Sequence, residues 1–255
     1  MPRTTTDLRT ADGVMDCRIF SPAGEGPWPG IIFYMDALGI RPELEQMAER
    51  LAANGYFVLL PNLFHRFGPF APFDAAEVFK GGPELNRLMT MIQATNGAVM
   101  MRDTSVCLDY LGRQPAVRGR DIGVTGYCMG GRAAMIAAGT FPDRIAAAGI
   151  FHAGGLATDQ PDSPHLLAEN IRAKLYIAVA AIDQWFSDQE RDRVRKALED
   201  ADVDFTLEVY PEVAHGFCVP GLPVYNLEAA ERHWRELLRL FAEALPARAS
   251  ATMAV

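Results

Sequence analysis

The sequence predicts an α/β protein in which a mostly parallel central sheet carries helices on both faces. Two runs, residues 31–34 and 56–60, are apolar throughout and predict strands that are covered on both sides. Between them, residues 42–53 carry apolar side chains at helical spacing. Later, a glycine-flanked turn at residues 126–130 joins a β-branched strand, predicted to begin at Ile122, to an alanine-rich helix. Such alternation of strand and helix is typical of a parallel sheet.

The N-terminal segment predicts a β-meander over residues 4–34. Threonine-rich and alternating stretches flank a turn at residues 11–13. A second turn signal at residues 28–30 then opens the apolar run that follows it. We therefore expect successive strands to be joined by tight turns here.

The middle of the chain predicts one crossover and a long irregular region. The helix over residues 42–53 ends before an Asn-Gly stop signal, and the next strand covers residues 56–60. Residues 61–83 are rich in proline and phenylalanine, and loops of this length tend to be functional. Their aromatic side chains either line a substrate pocket or anchor the loop. Helices are expected over residues 84–94 and 97–111.

The second half of the chain continues the alternation of strands and helices. Apolar strands are predicted over residues 145–151 and 174–183, followed by a charged amphipathic helix over residues 186–200. An alternating, edge-like strand over residues 205–210 precedes a final helix over residues 227–245.

The composition predicts one soluble domain. No internal repeat, low-complexity block or linker divides the chain, so we expect one domain over residues 1–245 and a disordered tail over residues 246–255. A hydrophobic content of 49% and a charged content of 22% are ordinary for a globular protein with a sizeable core. The net charge of −8, without a cluster of Lys and Arg, argues against nucleic acid as a partner.

The sequence further predicts a cytoplasmic protein without metal or other cofactor. The N-terminal residues contain no apolar run of a secretory signal, and no apolar stretch reaches the length of a membrane span. Cys17, Cys107, Cys128 and Cys218 are widely spaced and form no C-x-x-C pair. Neither a disulfide framework nor a zinc site is therefore indicated, and we expect reduced thiols.

One of these cysteines is a candidate nucleophile. Cys128 stands at the centre of Gly126-Tyr127-Cys128-Met129-Gly130, a G-x-S-x-G nucleophile elbow with cysteine in place of serine. The glycines leave space for a sharp turn, and the positive end of the following helix favours a thiolate over a thiol. Because a buried structural cysteine is the alternative, this interpretation needs a histidine and an acid further along the chain.

Asp183 and His215 meet that requirement. Both follow predicted strands, at the sheet edge where open parallel sheets bind ligands, and the order nucleophile, acid, histidine is that of α/β-hydrolases. Cys128 would attack a carbonyl, His215 would pair with the thiolate and later activate water, and Asp183 would hold the imidazole tautomer. A helix-capping aspartate and an ordinary loop histidine are the alternatives, but order and placement together favour a triad.

These motifs resemble the dienelactone hydrolase family. The elbow at residues 126–131, the acid strand end at residues 181–183 and the histidine loop at residues 214–217 are similar to motifs of that family. The similarity extends over roughly residues 10–245. It implies an α/β-hydrolase fold and hydrolysis of a small carboxylic ester or lactone through a covalent thioester, without a cofactor.

The resemblance also implies an oxyanion hole and a carboxylate that helps to activate the thiol. The backbone N–H groups of Ala37 and Met129 would be the donors to the developing negative oxygen. In the family, a glutamate after the third strand is thought to act on the thiol. Asp36 occupies this position and is one methylene shorter, which leaves its reach open.

The residues that bind a substrate carboxylate in the family are less well matched in this sequence. Relatives that open dienelactones carry an arginine shortly after the histidine, where this chain has Val219. A second family arginine corresponds to Arg87, and Arg66 and His152 are further candidates to line the pocket. Loss of a bidentate arginine contact weakens recognition of a carboxylate, so we expect a substrate other than a dienelactone.

Two alternative functions stay open at this point. The first is a broad carboxylesterase or thioesterase without a preference for lactones. The second is a non-catalytic ligand-binding or redox-sensing protein of the same fold, in which Cys128 is modified without turnover. A complete triad argues against the second alternative, because a binding protein needs no ordered acid and histidine.

Overall fold

An eight-stranded, mostly parallel sheet forms the centre of the computed structural model, which describes residues 2–245. Its spatial order is β1 (Arg3–Thr10), β2 (Gly13–Phe20), β4 (Phe57–Pro61), β3 (Trp28–Tyr34), β5 (Val117–Tyr127), β6 (Ile145–Phe151), β7 (Lys174–Ile182) and β8 (Phe205–Ala214). The strands from β4 to β8 run parallel, and β1 and β2 are antiparallel to their neighbours. The predicted fold class is confirmed. The predicted tail, residues 246–255, lies outside the described residues.

Helices connect the strands and pack against the sheet. They are α1 (Pro42–Ala53), α2 (Ala75–Phe79), α3 (Pro83–Ala94), α4 (Gly97–Arg113), α5 (Met129–Thr140), α6 (Asp188–Asp200) and α7 (Leu227–Ala244), with short 3₁₀ turns at His65–Phe67 and Pro164–Asn170. The last helix shows how they attach. Trp234, Leu237 and Phe241 are buried, and their spacing of three and four residues places them on one face of α7.

The predicted β-meander is wrong in its strand order. β1 and β2 do form a hairpin around the predicted turn, but β4 lies between β2 and β3. The β3–α1–β4 crossover places β4 parallel to β3, and β2 then pairs antiparallel with the other edge of β4. The periodicity of the sequence predicts each strand, but pairing between distant segments decides which strands are neighbours.

The main differences from the predicted bounds concern β5 and β8, and α2 was not predicted. β5 begins at Val117, earlier than the predicted start at Ile122. The sequence misses this part of the strand because the charged residues in it are typical of a loop. β8 continues to Ala214 and so brings His215 directly to the end of a strand. The predicted irregular region contains α2. Asp74 caps the N-terminus of this helix, because its carboxylate accepts the Ala76 N–H at 2.7 Å.

The parallel strands determine where the site lies. Because β3, β5, β7 and β8 run in the same direction, their carboxyl ends lie along one edge of the sheet. Asp36, Cys128, Asp183 and His215 each follow the end of one of these four strands. Residues that are far apart in the sequence are thereby collected at one edge.

Candidate active site

Cys128 sits at a strained turn between β5 and α5. Its φ of 55° and ψ of −116° are unusual for a residue with a side chain and are typical of a nucleophile elbow. The turn is fixed from both sides, because the Cys128 N–H donates to the carbonyl of Phe151 at 3.0 Å and its carbonyl accepts from Gly131 at 3.0 Å. Cys128 is partly exposed, whereas the other three cysteines are buried.

Two glycines allow the turn to form. A Cβ on Gly126 would lie 2.0 Å from the carbonyl oxygen of Gly130, and a Cβ on Gly130 would lie 2.5 Å from that of Met35. Both distances are far shorter than a van der Waals contact, so no other residue fits without movement of the backbone. The second contact also packs the first turn of α5 against the end of β3. The expected oxyanion donors, Ala37 and Met129, belong to these two segments and are both buried.

Asp183 and His215 form the predicted acid and histidine pair. The Nδ1 atom of His215 lies 2.8 Å from Oδ2 of Asp183, whose side chain is fully buried. The other carboxylate oxygen accepts the Trp185 N–H at 2.8 Å, so both oxygens are occupied. Asp183 is not the cap of α6, because Ser187 holds that position and accepts the Glu190 N–H at 3.2 Å.

The electrostatic surroundings of His215 favour its charged form. Burial opposes protonation, but the charge of Cys128 and the hydrogen bonds to Asp183 and Cys128 outweigh it and raise the pKa of His215 to about 10. The carboxylate and the sulfur on either side of the ring thus both favour the imidazolium form. The structure thus brings Cys128, Asp183 and His215 together.

His152 is placed behind His215 instead of on an open pocket wall. The two ring centroids are 4.9 Å apart, with the rings at 68°, and only 2% of His152 is exposed. Burial is the main reason why the pKa of His152 lies well below its ordinary value, so the ring is neutral. In this position its ring packs against that of His215, and a role in lining the pocket stays a prediction.

Asp36 is engaged by an arginine that the sequence analysis did not single out. Its Oδ1 and Oδ2 lie 2.6 and 2.7 Å from Nη1 and Nη2 of Arg41, and Oδ1 also accepts the Leu38 N–H at 3.0 Å. Nη1 of Arg41 additionally donates to the carbonyl of Gly39 at 3.2 Å. These contacts fix residues 36–41, the segment that contains Ala37. The sequence held one signal for this pairing, namely opposite charges on either side of a glycine turn.

The two arginines proposed for substrate binding are occupied elsewhere. Arg66 makes two hydrogen bonds of 2.7 Å to the buried carboxylate of Asp103. Arg87 pairs with Glu84 at 2.9 Å, and its guanidinium carbon lies 3.9 Å from the ring centroid of Phe73. The structure therefore does not bring these guanidinium groups to the triad as free cations.

No cluster of three or more metal-ligating side chains that could hold a metal ion occurs within residues 2–245. Over the same range, no helix is long and apolar enough to cross a membrane.

The parallel sheet, the strained elbow and the buried acid with its histidine define an α/β-hydrolase. Solved structures have the same fold over almost the whole chain. A provisionally assigned dienelactone hydrolase from Klebsiella pneumoniae has a TM-score of 0.80 at 21% identity, with 95% of this chain and 98% of that chain covered. A dienelactone hydrolase-like promiscuous phosphotriesterase from metagenomic libraries has a TM-score of 0.78 at 25% identity, with 96% and 99% covered.

The chain belongs to the dienelactone hydrolase family, whose model matches residues 15–245. A provisionally assigned carboxymethylenebutenolidase from Methylorubrum extorquens is 26% identical over 230 residues, which cover 89% of this chain and 76% of the relative. A relative with the same provisional name from Saccharomyces cerevisiae is 27% identical over 229 residues, covering 84% and 81%. The protein is therefore a hydrolase.

The Gly126→Ala variant tests the close approach at the elbow. We expect a loss of more than about 3 kcal/mol in the free energy of unfolding, because the added Cβ would displace backbone and not a flexible side chain. Chemical denaturation followed by circular dichroism measures this loss. Gly112→Ala on α4 is the matched control, since its Cβ would lie 3.5 Å from the nearest atom, an ordinary contact. Equal stability of the two variants would contradict the argument.

Proposed function

We propose that this protein hydrolyses small carboxylic esters or lactones with Cys128 as its nucleophile. The observation that carries the proposal is the chain of interactions from Asp183 through His215 to Cys128. Asp183 and His215 share a 2.8 Å hydrogen bond, and the sulfur and the carboxylate raise the pKa of His215 to about 10. An imidazolium held beside a sulfur at neutral pH stabilises a thiolate, which is the reactive form of cysteine.

The chemistry follows from these positions. The Cys128 thiolate attacks the carbonyl carbon, and the N–H groups of Ala37 and Met129 donate to the negative oxygen of the tetrahedral intermediate. When this intermediate collapses, His215 gives its proton to the leaving alkoxide and a thioester remains on the sulfur. His215 then takes a proton from water, the hydroxide attacks the thioester, and the carboxylic acid and the thiolate are released. With a lactone, the alcohol stays part of the acyl group throughout, and the second step releases a hydroxy acid.

Asp183 and Asp36 have separate roles in this proposal. Asp183 holds the Nδ1 proton of His215, so that Nε2 faces the sulfur and the substrate. Asp36 stands where the family has its thiol-activating glutamate, but both of its oxygens are occupied by Arg41. Its contacts therefore support a role in anchoring residues 36–41, and with them the Ala37 donor.

A broad carboxylesterase is the second candidate. It is favoured by one observation, namely that Arg66 and Arg87 are both paired with carboxylates of the protein. Val219, at the position of the family arginine, is fully buried. Recognition of a dienelactone carboxylate would need a free guanidinium.

The Cys128→Ala variant tests the nucleophile. We expect kcat to fall by at least about 10⁴-fold with a small aryl ester, because no other group can form the acyl intermediate. Stopped-flow measurement of the phenolate burst, with the acylated protein weighed by mass spectrometry, reports the intermediate directly. Cys107→Ala, which removes a buried thiol away from the site, should keep both burst and turnover. Undiminished turnover in Cys128→Ala would sink the mechanism and favour another nucleophile.

The His215→Asn variant tests the ion pair. Because the pKa of His215 is about 10, above its ordinary value of 6.5, the ring stays charged up to that pH and supports the thiolate. The rate of alkylation of Cys128 by iodoacetamide should therefore change little between about pH 6 and 9 in the wild type.

In His215→Asn the same rate should rise by about tenfold per pH unit between about pH 6 and 8 and level off near the ordinary thiol pKa of about 8.5, because the thiolate then depends on the solution pH. His165→Asn provides the control, since His165 is bonded to Ser163 at 2.8 Å and has no contact with the triad. Identical profiles for the wild type and His215→Asn would rule out the pair.

The Asp36→Asn variant separates anchoring from thiol activation. We expect kcat/KM to fall about tenfold to a hundredfold, because loss of the Arg41 pair loosens the loop that carries Ala37. The pH profile of Cys128 alkylation should stay that of the wild type, since His215 is unchanged. A displaced profile would instead assign the family's thiol-activating role to Asp36.

A further inference from the structure

A cavity of about 220 Å³ lies between the 36–41 loop and the loop that follows His215. Leu38, Arg41 and Glu43 line it on one side, and Gly221 and Leu222 line it on the other. The two sides approach each other closely, because a Cβ on Gly221 would lie 3.2 Å from Cγ of Glu43. Phe73 and the start of α2 form a third side, so the cavity adjoins the segments that carry the Ala37 donor and the histidine without being enclosed by them alone.

The lining residues connect the cavity to the triad. Leu38 is the neighbour of Ala37 in the chain, and Cδ1 of Leu222 lies 2.9 Å from the position of a Cβ on Gly216, the residue after His215. The charge of Cys128 also reaches Arg41. Burial alone would lower the pKa of Arg41, but Asp36 and, more weakly, Cys128 raise it. Chain connection and packing therefore link the cavity to both loops of the site.

Negative charge predominates around the cavity. Its guanidinium, Arg41, is already bound through both terminal nitrogens to Asp36. The Glu43 carboxylate lies 3.7 Å from Nε of Arg41, and its side chain keeps 34% of its exposure. Asp74 is a further lining residue. Arg41 is thus paired with two carboxylates. Arg87, whose guanidinium carbon lies 3.9 Å from the ring centroid of the lining residue Phe73, is itself paired with Glu84. A substrate carboxylate would therefore meet more acidic than basic groups.

Arg132, in the first turns of α5, is another arginine close to the elbow. A Cβ on Gly155 would lie 3.3 Å from its Nη1, which places the guanidinium at the loop after β6. Its charge acts there on Glu190. Arg132 is therefore directed toward the β6 side of the sheet, whereas the cavity lies on the β3 side.

We propose that a substituent of a substrate bound at Cys128 enters this cavity, and that the site selects esters in which this substituent is neutral or cationic over those in which it is a carboxylate. The inference rests on the proposed function, since it concerns the substrate of the Cys128 reaction. A carboxylate that enters the cavity gives up water and gains no free cation. At an effective dielectric of about 20, its repulsion by a carboxylate about 6 Å away corresponds to at least about a tenfold loss in kcat/KM.

Two pairs of nearly isosteric esters measure this selectivity on the whole protein. The acyl pair is para-nitrophenyl adipate and its neutral adipamide, and the alcohol pair is para-carboxyphenyl acetate and para-carbamoylphenyl acetate. In the pair whose substituent enters the cavity, we expect kcat/KM of the carboxylate ester to be at least about tenfold lower than that of its amide at low salt. This difference between the two esters should become smaller as salt is added.

Variants assign this ratio to the cavity. Glu43→Gln combined with Asp74→Asn should bring the carboxylate ester to within about threefold of its amide, and asparagine keeps the cap of α2. The matched control, Asp192→Asn combined with Glu199→Gln, removes the same two charges from the exposed side of α6 and should leave the ratio unchanged.

Equal kcat/KM for the carboxylate and the amide in both pairs would overturn the selectivity, as would a ratio that the cavity variant does not change. Either result would leave the Cys128 chemistry intact, provided that Cys128→Ala is inactive with the neutral esters. Turnover that persists in Cys128→Ala would overturn the proposed mechanism, and absence of turnover with every ester would count against both proposals.

Discussion

The close approach of backbone to backbone at the elbow is the constraint on which the rest of the site depends. With Gly126 against the carbonyl of Gly130, and Gly130 against the carbonyl of Met35, β5, α5 and the end of β3 meet without intervening side chains. Only this proximity leaves Cys128 projecting at the sheet edge, with φ at 55°. The local strain is sustained because the sheet on both sides of β5 and the buried helix α5 hold the turn in place.

Charge is distributed unevenly around this rigid turn. On one side, a buried aspartate and a sulfur hold His215 in its charged form. On the other side, Arg41 forms an ion pair with Asp36, and its next neighbour, Glu43, is also acidic. In the proposed reaction, the cysteine–histidine pair and the disfavoured carboxylate thus lie on different sides of one turn. The 36–41 loop and the loop after His215 contribute to both the proposed catalysis and the proposed substrate preference.

Much of the fold could be predicted from the sequence, because buried strands and amphipathic helices have distinct periodicities. The helix over residues 42–53 and the strand over residues 145–151 have the predicted bounds. The order of the strands could not be predicted in the same way. β4 displaces β3 from the hairpin through contacts between distant segments, and no local pattern encodes them. The short helix α2 was hidden in a segment whose prolines and glycines pattern as a loop.

By itself, the sequence determined which side chains could form the site, because the glycine spacing around Cys128 and the placement of Asp183 and His215 after apolar strands are local properties. Only the tertiary structure decided what each charged group is paired with. Arg66 and Arg87 were candidates for substrate binding in the sequence, yet each has a carboxylate partner in the fold. His152 likewise is buried, with its ring packed against that of His215. The reason is physical: electrostatic partners are set by distance in space, and distance in space follows from how the strands and loops pack.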